Sequence, residues 1–404
     1  MVAQVAAPDL RSLALVLLAS SLGALLSRVS RHVVLPTIVV EIVLGVVIGP
    51  EVLDIAKVDA YLQFLSTLGL AFLFFFIGLE VVEQKVPRTS VVRGTQGWYL
   101  SAAIGLCVGV VLQQLGLDAE WWVLGVAVTT TSLGSLVPIL RDVGVLPTPL
   151  GTAVLGSGVA GEFWPIVVIS VFLTGSRGAV EEIVLLVVFL GIVALAAGTA
   201  LRARPPGVVR VIQETLHTTG QLAVRLSILV LAALALLARD VGFDFILGAL
   251  AAGLVVGLAL DSPEGEPVRM RLEGIGFGFL IPVYFVTTGM NFDLSSFLSP
   301  KGLGLAALFL ALLFAARGVS AVLWLRELGP RRTVALGLFG ATALPLIVAI
   351  VGIAADEGAI ASDVGASLVG AGMISVLTFP LIGLHLAGRS AGTSADGVEA
   401  SGEY

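Results

Sequence analysis

The run TTTSLGSLVP, Thr129 to Pro138, decides the fold. It lies within an apolar segment long enough to span a bilayer, where a proline removes one helical hydrogen bond and clashes with the carbonyl four residues earlier, here that of Gly134. A second run of the same kind, GATALP from Gly340 to Pro345, frees the carbonyl of Ala341 in the same way. Unpaired backbone at membrane depth survives only where it lines a cavity or is buried in protein. Two interrupted helices are therefore expected, with broken ends meeting near the midplane. Thr129, Thr130, Thr131, Ser132 and Ser135 surround one break, and Gly340 and Thr342 the other. A pair of simple proline kinks is the alternative.

The rest of the chain fits this setting. Of 404 residues, 57% are hydrophobic and only 12% charged, against roughly 25% charged in a soluble domain, and mean hydropathy is +1.07. Apolar runs recur from Leu10 to His385 and leave no stretch for a soluble domain. The net charge is -6 with no basic stripe, which excludes a nucleic-acid binder. Cys107 stands alone, so no disulfide scaffold is expected. Punctuation by Pro, Gly and charge predicts an all-α polytopic membrane protein of about thirteen transmembrane helices. They run near 10–27, 35–50, 60–80, 95–115, 121–140, 149–174, 182–201, 221–238, 243–260, 274–290, 302–325, 333–354 and 364–386.

Charge bias orients these spans, because Lys and Arg concentrate in cytoplasmic loops. Sixteen of the 22 basic residues fall on one side, among them Arg28, Arg31, Lys85, Arg141, Arg204, Arg332 and Arg389, against Arg11, Lys57, Arg177, Arg239 and Lys301 on the other. This predicts a multi-pass protein of the plasma membrane with its N-terminus outside and C-terminus cytoplasmic. Leu13 to Leu26 is not a cleaved signal, since Arg28 and Arg31 follow it rather than precede it.

Three features repeat at nearly one offset. Gly45 and Gly49 match Gly253 and Gly257; Gly78 in LFFFIGLEV matches Gly289 in PVYFVTTGM; Pro138 matches Pro345. Corresponding helices are an odd number apart, so the halves are inverted relative to each other. The expected organisation is a first repeat over 1–174, a linker helix and loop over 175–220, a second repeat over 221–388, and a disordered cytoplasmic tail over 389–404.

Glu162, in GSGVAGEFWPIVV (Gly156 to Val168), is the sharpest chemical signal. An ionised carboxylate at the middle of a span is costly unless paired or wetted. Pro165 lacks the N–H that would bond the carbonyl of Gly161, which sets a free carbonyl beside the carboxylate as a pair of hard oxygen ligands for a monovalent cation. A packing carboxylate at a helix interface is the plainer reading. Arg317, in LLFAARGVSAVL, lies too deep to snorkel. Its partner is either Glu162 or the negative C-terminal ends of the interrupted helices. Glu41 is a secondary candidate, in an aqueous funnel or packed near the interface. Glu80 and Asp293 read as boundary residues. His32, His217 and His385 sit at span ends and form no metal set, and no cofactor motif is present.

Together IVVEIVLGVVIGPEVL (Ile38 to Leu53), LGLAFLFFFIGLEV (Leu68 to Val81), TTTSLGSLVPILRDVGVL (Thr129 to Leu146), GFDFILGALAAGLVVG (Gly242 to Gly257) and GFGFLIPVYFVTTGMNFDL (Gly276 to Leu294) resemble the sodium/proton exchanger family, on the branch of Kef-type and NapA-type antiporters. The resemblance covers nearly the whole chain. It implies a thirteen-helix inverted-repeat fold, two crossed interrupted helices, an elevator-like core and a homodimer. The family's acidic pair falls on Gly161 and Glu162, and its intramembrane Lys on Arg317. Neither position of the pair matches: Glu adds a methylene, and Gly removes a side-chain ligand. No nucleotide-binding domain follows the last span, so gating by one is not expected.

The resulting expectation is exchange of H+ for Na+ or K+ by alternating access at Glu162, with Thr130, Thr131, Ser132, Gly134 and Gly161 as ion ligands and Arg317 as charge partner. Arg stays protonated and Gly cannot titrate, so a single carboxylate carries the charge and exchange is expected to be one-for-one and electroneutral. A sodium-coupled symporter of an organic anion and a channel-like cation pathway are the rival readings. A membrane-embedded enzyme is disfavoured, because no second carboxylate, His or Cys is placed beside Glu162.

Overall fold

The computed structural model describes residues 9–29, 36–83, 86–173, 179–202, 221–261 and 265–388. Arg31, His32, Lys85, Arg177, Arg204, Arg210, His217, Arg389 and the segment 389–404 lie outside the described residues. Among those described, eight helical stretches are long and apolar enough to cross a membrane, and three shorter apolar helices accompany them.

The helices are α1 (Leu10–Val29), α2 (Thr37–Ile48), α3 (Ala60–Glu83), α4 (Arg88–Gln114), α5 (Trp121–Ala127), α6 (Leu133–Asp142), α7 (Pro149–Leu173), α8 (Ala179–Arg202) and α9 (Leu222–Val241). They continue as α10 (Phe245–Leu260), α11 (Glu266–Ile275), α12 (Ile281–Met290), α13 (Leu294–Phe297), α14 (Pro300–Ala321), α15 (Leu325–Gly340), α16 (Pro345–Asp356) and α17 (Ser362–Leu386). A π-helical turn, Gly276–Leu280, joins α11 to α12. There the ring of Phe277 stacks on Phe76 with centroids 4.8 Å apart. Gly329, with φ 72°, kinks α15 near its start, so this helix begins before the expected residue 333. Likewise α3 runs to Glu83 rather than stopping at residue 80, which leaves Glu80 inside the helix.

Two bundles result. In one, α1–α3 pack against α8–α12; in the other, α4–α7 pack against α14–α17, and α7 against α10 links the two. Glycine explains how backbones approach so closely in the first bundle. A Cβ on Gly45 would lie 3.0 Å from the Cα of Gly289, and one on Gly78 would lie 3.0 Å from the carbonyl carbon of Gly253. Real side chains do not fit at such separations, and small residues are what allow membrane helices to cross face to face. These two crossings, α2 with α12 and α3 with α10, pair the glycines that repeat in the sequence. Exchanging the repeats turns one crossing into the other, which is inverted-repeat geometry.

Candidate functional site

The second bundle contains both broken helices. α5 stops at Ala127 because hydroxyls take its last carbonyls: Thr129 Oγ1 donates to Val126 O at 2.7 Å and Thr130 Oγ1 to Ala127 O at 2.7 Å. Threonines that bond local backbone compete with helix continuation. The chain then runs non-helically from Thr130 to Ser132 before α6 begins. The opposite break lies between α15 and α16, where Pro345 takes the first helical position and its missing N–H leaves nothing unpaired. The breaks cross in contact. The N–H of Ser132 donates to Thr342 O at 2.8 Å, and Thr131 Oγ1 donates to Gly340 O at 2.6 Å. Pro138 corrects the expectation: it lies within α6, past the break, so the Thr run rather than Pro138 interrupts the first helix.

Glu162, on α7, is 2% exposed. Its Oε1 accepts the N–H of Leu133 at 2.6 Å, so the carboxylate caps α6, where the positive end of the helix dipole favours an anion. Oε2 is buried with no hydrogen-bond partner. Arg317, on α14, is 1% exposed. Its Nε donates to Gly340 O at 3.2 Å and its Nη2 to Ser157 O at 3.0 Å. Among the described residues no ion pair joins Arg317 to Glu162. Arg317 as the charge partner of Glu162 is thus corrected: the guanidinium answers the C-terminal carbonyl of α15, and the carboxylate answers the N-terminal amides of α6. Each charge meets the helix end of opposite sign.

Gly161 is corrected too. Its carbonyl accepts the N–H of Thr131 at 3.1 Å, so the group freed by Pro165 fastens the first break. The absent side chain also has a cause. A Cβ on Gly161 would lie 2.5 Å from Thr131 Oγ1 and 2.9 Å from Arg317 Nη2. The space a family acid would fill is already taken by the Thr131 hydroxyl and the guanidinium.

A cavity of about 340 Å³ lies between the bundles, lined by Glu41, Glu80, Thr131, Ser132, Ser135 and Glu162, with Gly134 and Pro345 at its border. Thr130, Gly161, Arg317, Ala341 and Thr342 do not line it; they hold the crossing from behind. Glu162 is therefore not solitary. Glu41 of α2 and Glu80 of α3 share its cavity, which overturns the premise of one carboxylate. Glu80 was read as a boundary residue because the predicted span stopped there. The apolar run continuing through Val81 and Val82 was the available signal. Asp293 does prove to be a boundary residue: it caps α13 by accepting the N–H of Ser296 at 2.9 Å and the hydroxyl of Ser362 at 2.9 Å. The bonds from Ser296 above all hold its carboxyl down, to about 2.

A second cavity of about 860 Å³ approaches the same layer from the opposite face and includes Asp244, Asp293, Asp356 and Glu357. Asp244 caps α10 by accepting the N–H of Ile246 at 2.9 Å. The two cavities share three helices. Leu70, Tyr284 and Val348 border the large one, and Leu73, Phe285 and Leu346 the small one. These pairs are one to three residues apart, so at about 1.5 Å rise per residue the lining of the two cavities is separated along each helix by less than one turn.

Crossed helix breaks with a capping carboxylate, approached by a cavity from each face, are features that secondary transporters use to build a substrate site. The family model described as sodium/hydrogen exchanger, transmembrane, matches residues 16–384, and the chain belongs to that family. It is 26% identical over 369 residues to the putative Na+/H+ antiporter YjbQ of Bacillus subtilis, covering 86% of this chain and 58% of YjbQ. With the Na+/H+-K+ antiporter GerN of Bacillus cereus it shares 28% identity over 285 residues, covering 69% of this chain and 70% of GerN. The solved structure of the sodium proton antiporter MjNhaP1 from Methanocaldococcus jannaschii superposes with a TM-score of 0.67 at 18% identity, over 94% of this chain and 99% of that one.

Proposed function

We infer that the protein exchanges H+ for Na+ or K+ across the plasma membrane by alternating access, with both ions competing for Glu162. The observation that carries this reading is Glu162, which lines a cavity between two bundles and whose Oε2 is buried without a hydrogen-bond partner. Oε1 is held by the Leu133 amide, so the group keeps its position while Oε2 takes either a proton or a cation. Ser132, Ser135 and Thr131 supply neighbouring hydroxyl oxygens suited to a hard monovalent ion. The thin apolar layer between the two cavities supports alternating access, since a small rigid displacement of one bundle transfers Glu162 from one cavity to the other.

Exchange is one-for-one and electroneutral for a reason that differs from the sequence argument. Glu41 and Glu80 stand on α2 and α3, in the bundle opposite Glu162. Only Glu162 and Arg317 travel together, and they carry the same net charge whether a proton or a monovalent cation is bound. Among the described residues no Lys, Arg or His lines the small cavity, which disfavours an organic anion as cargo. The names of the relatives support Na+ as a substrate, the charge bias supports an N-terminus outside, and the family resemblance supports a homodimer.

Purified protein in liposomes tests the proposal. A Na+ or K+ gradient is expected to drive proton movement in wild type and none in Glu162→Gln, with no response to imposed voltage. Coupled exchange surviving in Glu162→Gln removes Glu162 from the mechanism, and a strong voltage response removes the one-for-one ratio.

A further inference from the structure

Glu41 is a carboxylate the exchange step itself does not use. It lies on the fifth residue of α2, about 6 Å along the helix from its start, and is 4% exposed. Among the described residues it makes no hydrogen bond and no ion pair, yet it lines the same cavity as Glu162. α1 leaves room for it: a Cβ on Gly23 would sit 2.9 Å from Glu41 Cγ. The cavity is lined from the crossed breaks by Glu41, Ala24, Thr37 and Phe277, on the side to which the charge bias of the loops assigns Arg141 and Arg331. The titratable side chains facing it are Glu80 from α3 and Glu162 from α7; α1, α6, α12 and α16 present none among the described residues.

A buried acid without a partner costs several kcal/mol when ionised, and among the described residues nothing packed on α2 bonds to this one. Its placement does. Glu41 belongs to the bundle that α7 moves against, so it shares a cavity with Glu162 only when the site faces the arginine-rich side. The geometry points to Glu41 as a second proton-binding site, fixed on the stationary wall, through which Glu162 exchanges protons with the arginine-rich face alone. Protonated Glu162 passes its proton to ionised Glu41, leaving Glu162 charged for a cation, and Glu41 then releases the proton to water on that face; uptake is the reverse. No proton is gained or lost in the transfer.

This rests on the exchange reading above, and one experiment separates the two. In liposomes of sorted orientation, Na+-driven proton flux is measured while the pH on one face is varied and the other held fixed, for wild type, Glu41→Gln and Glu41→Asp. Wild type should depend on the pH of both faces. Glu41→Gln should lose the dependence on the arginine-rich face, on the order of tenfold per pH unit for a single titrating group, and keep that on the opposite face. Glu41→Asp should restore it in part. A Glu41→Gln profile equal to wild type on both faces, or altered equally on both, overturns the inference while leaving exchange intact. Absence of exchange in wild type overturns the proposed function instead. If Glu41→Gln does not fold, labelling of wild type by dicyclohexylcarbodiimide, read by peptide mass, decides: modification of Glu41 that falls as pH rises supports the site, and an unlabelled Glu41 refutes it.

Discussion

Gly161→Ala adds one methyl group at the crossing, and the structure sets its consequence. The new Cβ would lie 2.5 Å from Thr131 Oγ1 and 2.9 Å from Arg317 Nη2, roughly 1 Å inside ordinary contact. Two movements relieve the clash. Turning Thr131 gives up its bond to Gly340 O at 2.6 Å, and withdrawing Arg317 gives up its bond to Ser157 O at 3.0 Å. A neutral buried hydrogen bond contributes about 0.5–1.5 kcal/mol and a charged one about 1.5–3, so the expected loss is about 2–4.5 kcal/mol. Thermal unfolding of the purified protein, followed by fluorescence in detergent, reads the stability, and cation-driven proton flux reads the function; both are expected to fall. Gly161→Asn, which extends further toward the guanidinium, should be worse, and adding Arg317→Lys should recover part of the loss, because the two positions compete for one space. A Gly161→Ala protein that melts and transports like wild type refutes the packing argument for glycine here.

Other substitutions separate capping from transport. Glu162→Gln keeps an acceptor for the Leu133 amide and should melt near wild type, whereas Glu162→Ala should lose about 1–2 kcal/mol, the usual cost of a helix cap. Arg317→Ala removes the guanidinium bonds to Ser157 O and to Gly340 O, the latter keeping its bond from Thr131 Oγ1, and should cost about 2–4 kcal/mol; an unchanged melting temperature would exclude a structural role for Arg317. Asp293 tests linkage. Its folded pKa of about 2 lies below the unfolded value of about 3.9, so its stabilisation is complete above that unfolded value and is lost as pH falls through the folded one. The melting difference between wild type and Asp293→Ala should be constant above about pH 5 and close between roughly pH 4 and 2; a gap that widens on acidification contradicts the assignment.

Helix positions were readable because membrane spans announce themselves locally. Each needs a long apolar run, and each loop needs charge, Gly or Pro. The glycine matches were readable for a related reason: Gly45 with Gly253, and Gly78 with Gly289, mark two copies of one close crossing, and close crossings need small residues in both copies. Pro138 misled, since a proline inside a helix is visible in sequence while the capture of Val126 O and Ala127 O by Thr129 and Thr130 depends on the rotamers of hydroxyls. Glu80 was missed because a span boundary uncertain by three residues decides whether a carboxylate sits in a cavity or at its rim.

The sequence by itself determined that this chain crosses a membrane repeatedly, that its halves are inverted copies, and that Glu162 and Arg317 are charges in costly places, because hydropathy, spacing and burial cost are properties of single segments. Tertiary structure alone decided what those charges do. Whether Arg317 meets Glu162 or the end of α15, whether the Gly161 carbonyl is open or bonded to Thr131, and which acids share a cavity all depend on contacts between residues far apart in the chain. Two breaks crossing within hydrogen-bond reach create two helix ends of opposite sign side by side, and the buried charges sort themselves to those ends rather than to each other.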